Sequence, residues 1–300
     1  MSRTRVPPEV RLLPAQYVRA YVKRNKNDAA DAAAICEAVT RPSMRFVPVK
    51  TIDQQAALTL HRCRDLLIRQ RTQLINAMRS HLAELGIIAP QGREGIKELL
   101  AIVANDDNQN LPNDARASLV VLAAQLQALQ TTIGAIEKRI VKQHRASKDS
   151  KRIQTVPGIG EIGASAIAAT VTNPRIFRSG RDFAAWIGLV PRQMSTGGKP
   201  KLGPISKQGD RYLRRLLVVG AVSVLRRAKL HPEKFPWVTQ MLARRPFKVV
   251  AVALANKMAR TAWALMMSGK TCRSARFAAS SRHSCGRLAL WRTQGGRTGP

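Results

Sequence analysis

Three groups of residues have types and spacings suited to work on a phosphate ester. Asp28 and Asp31 stand three apart in Asn27-Asp28-Ala29-Ala30-Asp31-Ala32, so a helix there carries both carboxylates on one face. Two such oxygens can begin a Mg²⁺ site. They also suit a helix first turn, whose dipole favours acids, and without a well-placed third carboxylate this plainer reading leads. Glu9 and Glu37 are the nearest other acids, and neither has a compelling position. The second group is Ser195-Thr196-Gly197-Gly198-Lys199, a small flexible loop with a hydroxyl near an ammonium. Such a loop can cradle a phosphate through its amides, or present a serine whose alkoxide is stabilised by neighbouring cations. No histidine lies close in sequence, so a His-activated triad is not indicated, and phosphate binding is the stronger of the two readings. The third group, Thr155-Val156-Pro157-Gly158-Ile159-Gly160-Glu161, precedes a small-residue helix. It resembles a helix-hairpin-helix DNA-binding element, in which glycines permit close backbone approach and the next helix offers amides to a phosphate. The alternative is a tight turn between helices with no ligand.

These groups sit in a chain of 300 residues with 51 Lys+Arg, 18 Asp+Glu and a net charge of +33. With 45% apolar residues the chain can bury a core, which excludes a disordered polycation. The charge points to a polyanion partner, nucleic acid first, and away from acidic small substrates. From Arg175 to Arg227 there are twelve Lys+Arg and two acids, Asp182 and Asp210. The candidate nucleic-acid contacts are Gly158 and Gly160 of the hairpin and Arg192, Lys199, Lys201, Lys207, Arg211 and Arg214 of this basic stretch. Cys36, Cys63, Cys272 and Cys285 are scattered and read as plain thiols, not zinc ligands. No unbroken run of about 18 apolar residues occurs, so no membrane span is expected. The first residues lack a signal-peptide pattern, and the protein reads as cytoplasmic.

The elements that must position these residues are mainly helical. Residues 1–27 are extended and punctuated by Pro7, Pro8 and Pro14, with a short strand expected at 9–13 and a strand-like piece at 45–49. Asn27 caps a helix that runs to Val39 and is stopped by Arg41-Pro42. A long helix spans 53–85, with Leu58, Leu66, Leu74, Ile75, Leu82 and Leu85 on one face and Arg62, Arg64, Arg69, Arg71 and Arg79 on the other. A short helix at 96–103 and a polar turn at 105–114 lead to a second long helix, 114–146. The two long helices read as an antiparallel coiled-coil hairpin. The composition shifts near 150, and residues 269–300 read as a disordered basic tail.

Taken together, Tyr21–Thr51, Thr155–Ala169 and Gly188–Leu217 are specific. The chain resembles the DEDD-type insertion-sequence transposases of family 110, nearest to their 1111 subgroup, over about residues 9–268. The resemblance implies a mainly α protein. Residues 1–50 would be a remnant of an RNase H-like (RuvC-like) α/β domain and 51–149 the coiled-coil hairpin. Residues 150–268 would form a helical C-terminal transposase domain with the helix-hairpin-helix-like element, and 269–300 the tail. It implies that Asp28 and Asp31 are the last two of four Mg²⁺-binding acids, and that Ser195, with Ser206 as second choice, is a nucleophile that links covalently to DNA. It also implies a guide RNA, and a homo-oligomer, dimer or tetramer, with composite sites. The family's first Asp and its Glu find no counterpart here, so the chain reads as N-terminally truncated, with residues 1–50 poorly packed.

Three functions compete on these grounds. The first is a DNA recombinase using Asp28, Asp31 and Ser195. The second is a nucleic-acid-binding protein without catalysis. The third is a basic structural protein with a coiled-coil arm, against which the ordered motif at 188–217 speaks, since a purely electrostatic binder has no need of it.

Overall fold

In the computed structural model, residues 10–22, 27–44, 46–105, 111–199 and 201–272 are described. Glu9, the middle of the expected polar turn and the tail from 273 onward lie outside them. Among the described residues the protein is mainly helical, with one two-stranded sheet.

The N-terminal part contains α1 (Ala15–Val18), a 3₁₀ turn and α2 (Asp28–Thr40). The Asn27 side chain accepts a hydrogen bond from the Ala30 amide at 2.6 Å, the N-cap expected of it. The two expected strands meet in a single antiparallel bridge, Leu12 to Val47. Of the described residues in 10–50, only Ala34 and Ala38 are buried, and both are too small to anchor a core. Val10, Leu12, Ile35, Val39, Val47 and Val49 remain exposed.

Two long helices follow, α3 (Ile52–Glu84) and α5 (Asn113–Ala146), joined through α4 (Arg93–Ala104). Thr51 and Gln54 cap α3 reciprocally, a local reason for its start. Leu119, Leu126, Ile133 and Ile140 of α5 are all buried, and their seven-residue spacing keeps one face on α3. Ile75, Met78 and Leu82 meet Leu119 and Leu126 at one end, while Arg64 reaches Glu137 at the other, so the helices run antiparallel. Leu99 and Val103 of α4 close the distal end. Arg64 was expected on the face opposite the leucines. Its side chain is 14% exposed and donates to Glu137 at 2.8 and 2.6 Å. Conversely, Leu66 of the expected apolar face is exposed, because α3 meets α5 along a narrower seam than its sequence offers.

Among the described residues α5 is the one helix long and apolar enough to cross a membrane by length and composition, and Leu119, Leu126 and Ile133 within it are buried in the helix pair. Residues 117–136 contain no charged side chain; Gln and Thr interrupt the apolar run without lowering its average much.

The C-terminal part is built from α6 (Lys148–Gln154), α7 (Glu161–Thr170), α8 (Gly180–Ile187), α9 (Arg211–Leu230), α10 (Pro236–Leu242) and α11 (Phe247–Ser268). Its core joins Ile153, Ile167, Phe183, Leu213, Leu217, Leu225, Val250, Leu254 and Met258. Burying such side chains contributes about 1.5–3 kcal/mol each before entropy is counted. Between α8 and α9 lie β1 (Pro191–Gln193) and β2 (Leu202–Ile205), paired antiparallel with Pro191 opposite Ile205 and Gln193 opposite Leu202. The base of the long-helix hairpin packs on α7.

Candidate active site

Residues 195–199 are not a flexible loop. They form the tip of the β1–β2 hairpin, closed by a bridge between Thr196 and Lys199 in which the Lys199 amide donates to Thr196 O at 3.1 Å. Gly197 and Gly198 have φ of +56° and +74°, the doubly left-handed pair of a type I′ turn. The turn positions Ser195, whose side-chain oxygen accepts hydrogen bonds from the Lys201 amide and the Gln193 side-chain amide, both at 3.2 Å. Ser195 and its neighbours Lys199 and Lys201 are exposed. Both partners of this hydroxyl are donors, so they would stabilise an alkoxide and cannot take up its proton.

Ser206, the second candidate, sits at the base of the same hairpin. Its hydroxyl is buried with no hydrogen-bond partner among the described residues, and its amide donates to Val190 O at 2.8 Å. Of the two serines, only Ser195 offers a reachable oxygen. Lys207 follows in the left-handed region at φ +56°, rare for a non-glycine residue, with its amide on Gly188 O at 3.2 Å. This conformation turns the chain back toward α9, which Asp210 caps by accepting from the Tyr212 and Leu213 amides at 2.7 and 3.0 Å.

The expected nucleic-acid contacts divide by what already occupies them. Lys199, Lys201, Lys207 and Arg211 are exposed, and none makes a side-chain hydrogen bond or ion pair among the described residues. Arg192 spends one bond on Ser206 O at 3.0 Å. Arg214 donates to both Ile187 O and Gln208 O at 2.7 Å, so it clamps the turn that precedes α9. Gly158, at φ +91°, faces inward: a Cβ there would lie 2.9 Å from Gly220 O and 2.8 Å from Val224 Cγ2. Gly160 caps α7 from the exposed side.

Asp28 and Asp31 occupy the first turn of α2, Asp28 exposed and Asp31 partly so. Two carboxylates with no ion pair among the described residues are hard oxygen donors fit for a divalent ion, and they make half of a site: no group of three His, Cys, Asp or Glu able to hold a metal occurs among those residues. No hydrogen bond or ion pair ties α2 to the β1–β2 hairpin among those residues. The structure thus gathers the cations around Ser195 and leaves the acids on a separate element.

One polar cluster has no signal in the sequence. His61 of α3 is buried, with Nδ1 3.2 Å from Tyr212 OH and Nε2 3.1 Å from Ser165 Oγ. Burial, with Arg64 nearby, pushes its pKa down to about 4, and burial raises that of Tyr212. Arg215 pairs with Asp65 beside it. These contacts pin the long helices to α7 and α9, and thereby fix where the serine hairpin stands relative to the arm. His61 lies on the seam face of α3, but its partners are 104 and 151 residues away in sequence.

Two family models match the chain. The transposase model of the DEDD, IS110 group covers residues 6–87, and the model described as the transposase IS116/IS110/IS902 family covers residues 150–235. A protein of Sinorhizobium fredii named as a transposase is 48% identical over 269 residues, 89% of this chain and 69% of its own length. A family 20 transposase of Pseudomonas aeruginosa is 49% identical over 265 residues, 88% of this chain and 78% of its own. The transposase of insertion sequence element IS1111A from Coxiella burnetii is 39% identical over 263 residues, 87% and 72% of the two chains. The models match the acid-bearing and serine-bearing regions separately, and the relatives join them in one alignment: the chain belongs to the IS110 family of insertion-sequence transposases.

Proposed function

We propose that this transposase cuts and rejoins DNA strands through Ser195. The Ser195 oxygen attacks a backbone phosphorus. An O–P bond forms to the serine, the P–O bond to the departing deoxyribose oxygen breaks, and the serine proton ends on that oxygen. Attack by a hydroxyl of a second strand reverses the exchange and joins the new ends. The observation that carries this reading is an exposed serine oxygen held by two N–H donors beside Lys199 and Lys201. Those cations and Lys207 and Arg211 hold the phosphates on either side. The exposed amide side of Gly160 is the part of the 155–160 hairpin open to a backbone.

A divalent ion, Mg²⁺ in this reading, supplies charge neutralisation on the phosphate oxygens when bound. Asp28 and Asp31 are the residues that would hold it. Because α2 is not tied to the serine hairpin within one chain, the reading includes a homo-oligomer in which acids and serine of different copies meet. A guide RNA that pairs with donor and target DNA completes it. Residues 1–50 serve as the RNase H-like part, 51–149 as a coiled-coil arm and 150–268 as the DNA-joining part.

Replacing Ser195 tests the reading. Ser195→Ala abolishes strand transfer and leaves DNA affinity unchanged; retained strand transfer sinks the nucleophile. A second reading, nucleic-acid binding without catalysis, draws on the separation of α2 from the hairpin. It predicts no strand transfer in the unsubstituted protein either. Both readings require strong salt dependence: with six to ten phosphates contacted, affinity falls about 10³- to 10⁵-fold between roughly 50 and 200 mM salt.

A further inference from the structure

We propose that Trp186 is a stacking platform for an unpaired nucleotide at the foot of the serine hairpin. The proposal rests on the strand-transfer reading and names what the site holds besides phosphate. Only 4% of the chain is aromatic, and in residues 150–272 the other aromatic side chains are buried or half-buried. Trp186, on α8, is 38% exposed. It is held firmly on one side: its ring stacks on Phe183 with centroids 5.9 Å apart and planes 21° apart, and meets Phe177 at 5.3 Å. Those two rings also meet each other edge-on at 5.1 Å, so the cluster is fixed from below.

Exposed cations stand on the two segments that touch Trp186. Phe177 carries Arg175 and Arg178 as close sequence neighbours, both exposed. The Trp186 carbonyl lies against Gly209, where a Cβ would come within 1.8 Å of it. That contact presses the turn bearing Lys207 and leading to Arg211 onto α8. An exposed aromatic with cations on the segments that touch it suits a single strand, whose phosphates pair with the cations while a base lies on the ring. A duplex keeps its base faces in the stack and can use only the cations. Strand cutting and rejoining produces the unpaired ends that such a platform would hold still.

The test titrates the full-length protein with oligothymidylate, oligouridylate and a DNA duplex, reading tryptophan emission and affinity. In the unsubstituted protein a single strand quenches the emission, and Trp186→Phe removes most of that quenched component while preserving binding. Trp186→Leu keeps apolar packing on Phe183 but lacks an aromatic face; it weakens single-strand affinity about 5- to 150-fold and leaves duplex affinity unchanged. Quenching by one polymer alone assigns the stacked nucleotide to DNA or to RNA, and quenching by both assigns the contact to the base whatever the sugar. Equal quenching in Trp186→Phe and the unsubstituted protein overturns the proposal, as does a Trp186→Leu variant that loses single-strand and duplex affinity together. Because these readouts are binding alone, a failure of Ser195→Ala to stop strand transfer leaves them standing, and their failure leaves the serine assignment standing.

Discussion

The two glycine-rich hairpins of the C-terminal part look alike in sequence and use their glycines differently. In 155–160, Gly158 lies against α9 at Gly220, and a Cβ on Gly220 would come within 2.0 Å of Gly158 O. In the serine hairpin, a Cβ on Gly197 or Gly198 would meet nothing within 4 Å, and only their positive φ is needed. The first pair permits backbone to touch backbone inside a core. The second sets the path of a chain that projects from it. Close approach and left-handed geometry are separate uses of glycine, and only neighbours in space tell them apart.

The largest effect is expected where that contact is tightest. Gly220→Val forces a branched side chain between α9 and the 155–160 hairpin, and overpacking of this kind costs about 1–3 kcal/mol or more. The urea midpoint should fall clearly; an unchanged midpoint would erase the distinction between the hairpins. A comparable loss should follow acidification, because α7, the helix that leaves the first hairpin, is held through Ser165 by His61. The folded pKa of His61 lies near 4, below its ordinary 6.5, so the unfolded chain binds the proton first. Stability from this group is complete above about pH 6.5 and is lost as pH falls toward 4, roughly 3 kcal/mol in all. Urea titrations at both ends of that window should show the loss, and His61→Gln should flatten it.

Smaller effects belong to the serine hairpin. Gly198→Ala places a Cβ in open space at φ +74°, a strain of about 1–2 kcal/mol that the exposed turn can relieve by local rearrangement. The unfolding midpoint should stay near that of the unsubstituted protein while strand transfer falls. Should Gly198→Ala unfold as early as Gly220→Val, the serine hairpin is part of the core after all. The mildest change is Lys199→Ala, which should lower the slope of log affinity against log salt by about one, the share of a single phosphate contact.

Much of the fold is legible in the sequence because helix signals are local. Asn27 as a cap, the expected 53–85 helix seen at Ile52–Glu84 and the expected 114–146 helix seen at Asn113–Ala146 follow from capping chemistry and apolar period. The serine hairpin was harder to read. Its two-residue Gly-Gly turn is a hairpin signal, but the flanking strands are only three and four residues long and none of their residues is fully buried, too little for an apolar alternation to mark them. Periodicity places Arg64 on the face opposite the leucines but names no partner for it; Glu137 is 73 residues away.

The sequence by itself determined the family, the helical character, the basic surface and the residue types able to work on phosphate, since each is written in composition or in short contiguous motifs. Tertiary structure decided which of them remain available. It buried the Ser206 hydroxyl and left Ser195 open, turned Arg214 onto two carbonyls, fitted Gly158 against Gly220 and kept Asp28 and Asp31 on an element apart from the hairpin. The physical reason is that availability depends on what packs against a group. Gln208 reaches Arg214 from six positions away, but Ile187 comes from 27 and Gly220 meets Gly158 across 62, beyond the reach of any local pattern.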